Sequence, residues 1–131
     1  MHYDLTKLTE FATTLGMEAD LVCSDLLRVR FGQDVVLVFK NYTDTGGCDC
    51  LMAFEGTPWH SHCRLGLAAG DDDYLELDEF QVLQAISDGD IVAAESLVDG
   101  EVRDRWLHHV EGPEDLRCLE PNEELRFRKL A

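Results

Sequence analysis

A chain of 131 residues with 45% hydrophobic content is the size of one compact domain and carries enough apolar side chains to build a core. Twenty-seven acidic against eleven basic side chains leave a net charge of −16, a field that repels nucleic acid and anionic membrane and attracts basic protein surfaces. The opening MHYDLTKLTEF lacks the basic and apolar regions of a signal peptide, and the longest strongly apolar run, 35–39, is too short to span a bilayer. The expectation is a soluble, cytoplasmic protein with reduced thiols.

Leu5, Leu8, Phe11, Ala12 and Leu15 recur at helical spacing, and Gly16 is placed to stop the run, which predicts a first helix over about 4–15. From about Leu21 the texture is that of strands. LLRVRF (26–31) alternates, VVLVFKNY (35–42) is β-branched and aromatic, and FGQD between them suits a tight turn. TDTGG (43–47) supplies another turn before CDCLMAFE (48–55), so a three-stranded antiparallel meander is expected, with 35–39 in the middle. RLGLAAGDDD (64–73) reads as an exposed loop.

Asp78 is placed to cap a second helix through EFQVLQAIS (79–87). Leu77, Phe80, Leu83 and Ile86 then share a face, and Gly89 ends it. DIVAAESLV and EVRDRWLHHV flank Asp99-Gly100, the favoured pair for a two-residue type I′ turn. A regular hairpin about that turn sets Leu97 opposite Val102 and Ala93 opposite Trp106, with Trp106 in the core and Arg103 and Arg105 paired to nearby acids. Short strands near 115–119 and 124–130 complete the pattern, the last an edge guarded by Arg and Lys. The sum is a single α+β domain over 1–131, one antiparallel sheet of about six strands with two helices packed on one face.

The stretch GGCDCLMAFEGTPWHSHC (46–63) concentrates thiols and imidazoles. Cys48 and Cys50, and His60 and His62, each fall on one side of a strand, and a Cys₂His₂ set would suit zinc. A hairpin about Gly56-Thr57-Pro58 sets His60 opposite Phe54, His62 opposite Met52 and Cys50 near Arg64. Four ligands in that register do not converge on one ion at about 2.0–2.3 Å. A hairpin about Thr45 sets Cys48 near Tyr42, Cys50 near Lys40 and Met52 near Val38, which makes the cysteines packing residues. No metal and no cofactor are therefore expected; a metal-binding protein or enzyme using Cys48, Cys50, His60 and His62 is the alternative. Cys63 and its neighbour His62 face opposite ways on a strand. Nucleophile-elbow, phosphate-loop, dinucleotide, HExxH and EF-hand patterns are all missing from the chain, so no catalytic residue is assigned and a non-enzymatic role is expected.

Residues 71–101 hold eleven Asp or Glu and no Lys or Arg. The candidate partner-binding face joins Trp59, His60 and His62 at the turn to Asp71, Asp72, Asp73, Glu76, Asp78 and Glu79. In size, charge and architecture the chain resembles the small acidic immunity proteins of bacterial toxin–immunity pairs. The resemblance implies a cytosolic protein that neutralises a cognate toxin by docking an acidic face on its basic surface, with neither nucleic acid nor membrane as partner.

Overall fold

The computed structural model describes residues 2–42, 49–70, 72–113 and 120–131. Helix α1, Leu5–Thr14, starts at Asp4, whose carboxylate accepts the Lys7 N–H, and ends at Leu15. Gly16 takes φ +79° there, a left-handed turn open to glycine at little cost. Leu5, Leu8 and Ala12 are its buried stripe.

Five strands follow as a continuous antiparallel meander: β1 Glu18–Cys23, β2 Leu26–Phe31, β3 Val35–Tyr42, β4 Asp49–Phe54 and β5 His60–His62, side by side in chain order. The expected three-strand meander is its middle; β1, which begins before Leu21, and the short β5 extend it at both edges. As expected, β3 is central. Val35, Leu37 and Phe39 are buried on its inner face, and Val36 and Val38 are half-covered on the other. The turn 43–47 lies outside the described residues.

The segment expected as a loop from 64 to 73 is instead half of a hairpin. β6 Leu65–Ala68 pairs antiparallel with β7 Tyr74–Leu77 as a second sheet. Leu65 and Leu67 point inward across from Leu77 and Leu75, a period-two pattern that the glycines and acids around it concealed. The Tyr74 side chain, itself largely exposed, lies over Gly66, and a side chain at that position would displace it.

Helix α2, Glu79–Asp88, has the expected ends. The Asp78 carboxylate accepts the Gln81 N–H, the Gln81 side chain accepts the Asp78 N–H, and Gly89 closes the helix at φ +82°. The third sheet has the order β10-β8-β9, with β8 Ile91–Val98, β9 Glu101–His109 and β10 Glu123–Arg128. The predicted strand at 115–119 lies outside the described residues, and β10 stands for the strand expected at 124–130, on an edge as anticipated.

The fold is thus α+β, with ten strands in three sheets among the described residues rather than about six in one. The helices also divide their packing: α1 lies on β1 and β2, while α2 lies on β7 and β8. They meet through the edge-to-face rings of Phe11 and Phe80, 5.5 Å apart. One core joins all layers, with Leu8, Phe39, Met52, Leu83, Ile91 and Leu107 sealed from solvent. Each such side chain contributes about 1.5–3 kcal/mol of burial free energy.

Candidate functional site

The turn after β4 fixes where the histidines go. Ala53 pairs with His60 and Leu51 with His62, one residue away from the register expected with Phe54 and Met52. Trp59 supplies the reason. Its ring packs on Phe54, centroids 5.8 Å apart, and its backbone N–H donates to the Asp104 carboxylate at 3.1 Å. With Trp59 drawn to the inner face, strand alternation sends His60 and His62 outward. The two imidazoles stand edge to face at 5.1 Å, and His62 Nδ1 lies 3.5 Å from the Asp49 carboxylate.

The same correction applies between β3 and β4. Cys50 pairs with Asn41 and Met52 with Phe39, not with Lys40 and Val38. Sheet faces must match: Phe39 and Leu37 are buried, so the strand across from them turns Cys50, Met52 and Phe54 inward. Cys50 and the pair His60 and His62 therefore occupy opposite faces, and Cys48 lies outside the described residues. Among the described residues no three His, Cys, Asp or Glu side chains group as a metal site.

A different thiol meets Cys50. Past the Leu51–His62 pair, the Cys63 N–H donates to the Cys50 carbonyl at 2.9 Å, and the two sulfurs stand 2.8 Å apart. Tyr3 closes the cluster from the N-terminal segment. Its hydroxyl donates to the Cys63 carbonyl at 2.7 Å, while its backbone N–H and C=O are both held by the buried amide of Asn41. Burial first, and then the neighbouring Cys63, push the Cys50 thiol up to about 12. Burial, with the two thiols adding to it, likewise raises the Tyr3 phenol, so it stays a donor.

The acidic residues are spread over a hairpin and a helix start. Asp72 and Asp73 are exposed in the connection between β6 and β7, and Asp71 lies outside the described residues. Glu76 is exposed on β7 and sits 4.0 Å from Arg64. Asp78 is committed to capping α2. Glu79 is half-buried, and burial raises its carboxyl above the usual range. Of the candidate face, His60 and His62 are brought together, Trp59 turns inward away from them, and Arg64 links their strand end to the acidic hairpin through Glu76.

Two features went unforeseen. Glu95, one of the eleven acids of 71–101, is completely buried in β8 and receives Arg105 from β9 and Arg126 and Arg128 from β10. Burial alone would raise its carboxyl, but the Arg126 and Arg105 hydrogen bonds outweigh that and hold it below the usual range. A bulge causes the surprise: Leu97 pairs with Val102 as expected, but Ser96 pairs with Asp104, so Arg103 is the extra residue. Ala93 then faces Leu107 rather than Trp106, Arg105 turns inward, and Trp106 is only half-buried. The sequence signal was a lone carboxylate amid AAESL, matched by RDR and RFR in strands of period two. The second feature is an open hollow of about 310 Å³ lined by Val92, His108, Val110, Phe127, Arg128 and Lys129. Val110 and Phe127 are 49% and 40% exposed there, and the Phe127 ring packs against His108 at a tilt, centroids 4.8 Å apart.

No helix among the described residues is long and apolar enough to cross a membrane. Comparison with protein-family models, curated proteins and solved structures finds no match to this chain.

Proposed function

We propose that this chain is a cytoplasmic protein-binding domain that docks an acidic face on the basic surface of a partner, in the manner of an immunity protein neutralising its toxin. One observation carries the reading: Asp72, Asp73 and Glu76 are displayed, while three of the arginines are engaged by other carboxylates. Asp72, Asp73 and Glu76 stand out on the β6–β7 hairpin. Arg105 is buried on Glu95, and Arg126 and Arg128 direct their guanidinium groups to the same carboxylate and to Asp34. The acids of the hairpin face solvent, where they accelerate encounter with a cationic partner and reject anionic ones. His60 and His62 would form the rim next to this face, tied to it through Arg64.

The test is to express the product of the neighbouring reading frame and follow its association kinetics with this protein. The rate constant is expected to fall steeply as salt rises and to drop when Asp72 and Asp73 are both changed to Lys. A complex whose association is indifferent both to ionic strength and to those changes overturns the reading.

A further inference from the structure

We propose that Cys50 and Cys63 form a reversible disulfide, a redox-modification site whose oxidant is a low-molecular-weight disulfide of the glutathione class. The placement comes from strand register. Cys63 is the residue after the last ladder pair, so it stands directly across from Cys50 on the inner face of the sheet. Cross-strand neighbours have Cα separations of about 4.5–5.5 Å, inside the range of about 4.4–6.8 Å that a disulfide spans. The sulfurs are 2.8 Å apart, and bonding asks them to close by only about 0.8 Å. Cys63 adopts φ +59°, a left-handed conformation that turns the chain from β5 into β6 and keeps its sulfur beside Cys50 rather than continuing the strand.

The two thiols differ in access, and this orders the chemistry. Cys63 is partly exposed, whereas Cys50 is sealed. Cys63, as thiolate, attacks one sulfur of the small disulfide, the S–S bond of that reagent breaks, and one small thiolate leaves and takes up a proton. Cys50 then gives up its proton and attacks the Cys63 sulfur. The new S–S bond joins the two protein residues and the second small thiol departs. Two protein thiols have been oxidised by two electrons and one small disulfide reduced to two thiols. The raised Cys50 thiol supports this order: it is a poor first nucleophile, and it is also a poor leaving group when an outside thiol attacks Cys63. Formation relies on proximity, and reversal is slow. The bond would lock the edge strand β5, and with it His60 and His62, onto β4.

The full-length protein is equilibrated with defined mixtures of reduced and oxidised glutathione, remaining thiols are alkylated, and the disulfides are mapped by mass spectrometry. Cleavage at Glu55 is needed, since Cys48, Cys50 and Cys63 otherwise share the fragment between Lys40 and Arg64. The expected result is loss of two thiols per monomeric chain and a cross-link from Cys50 to Cys63 that persists in Cys48→Ser. In Cys63→Ser, Cys50 is expected to take up no glutathione under native conditions. The proposal is overturned if Cys63 joins Cys48 instead, if glutathione stays on Cys63 without closure, or if both thiols remain alkylatable in excess oxidised glutathione. The map of the unmodified sequence and of Cys48→Ser decides the matter even where Cys63→Ser fails to fold.

Discussion

Arg105 Nη2 lies 2.6 Å from Glu95 Oε2, and the two side chains keep 6% and 0% of their surface in contact with solvent. Arg126 holds the other carboxylate oxygen through Nε and Nη2 at 2.9 and 2.7 Å, so each edge strand of the third sheet donates to the central one. Arg128 extends the chain of charges to Asp34 in the turn after β2, at 3.1 and 3.2 Å. Every buried side-chain nitrogen and oxygen among the described residues has a hydrogen-bond partner. That full satisfaction is what lets a carboxylate sit in the interior.

Removing the carboxylate alone is therefore the damaging change. Glu95→Ala is expected to lower unfolding free energy in urea by about 3–5 kcal/mol, because Arg105 is left buried without its counter-charge. Replacing Glu95 and Arg105 together by Met and Leu is expected to cost less than the sum of the two single changes. A double-mutant cycle measures that coupling directly.

The same carboxylate sets an acid limit. The folded protein holds the Glu95 pKa below its ordinary value of 4.5. Its contribution is complete above that value and is lost as pH falls through the lower folded pKa, since the unfolded chain then binds the proton more readily. Melting temperature followed from neutral pH downward is expected to fall below about pH 4.5, and to fall less in Glu95→Gln.

Glu79 works in the opposite sense. Burial, the largest cause, raises its pKa, so the folded state binds a proton more tightly than the unfolded one and loses stability as pH rises through the folded value. Glu79→Gln is expected to stabilise the protein at neutral pH by less than about 1 kcal/mol, the site being partly solvated. Denaturant midpoints at acidic and neutral pH check this, because the gain should vanish on acidification.

At the end of α2, Gly89 takes φ +82° and its N–H bonds to the Ala85 and Ile86 carbonyls. Gly89→Ala is expected to cost about 1 kcal/mol through the left-handed backbone, in contrast to an alanine placed at a right-handed helical position. Urea unfolding reports the difference.

Charge reversal of Asp72 and Asp73 is expected to slow association with a basic partner about tenfold at low salt and to leave thermal stability nearly unchanged, since both side chains are exposed. Stopped-flow kinetics at two ionic strengths, with a melting curve on the same samples, separates the two effects.

Local chemistry was readable from the chain alone. The stripe Leu5, Leu8, Ala12 with Gly16 behind it, the Asp78 cap with Gly89 at the other end of its helix, and the Asp99-Gly100 turn each depend on residues close together in the chain. Those interactions are the same in any fold, so they determined two helices, a hairpin and the α+β class. What spacing leaves open is register, because a slip of one residue is invisible locally yet carries every side chain to the opposite face. Trp59 on Phe54 and Cys50 facing the core decided that the histidines point outward and that the sulfur beside Cys50 belongs to Cys63. The bulge at Arg103 turned Arg105 toward Glu95, and only the docking of β10 on the other side of β8 completed that carboxylate's partners. Composition determined that this chain is strongly acidic. The tertiary structure decided which charges remain available to a partner, since pairing across strands far apart in sequence buries Glu95 with Arg105 and ties the partly exposed Arg126 and Arg128 to carboxylates.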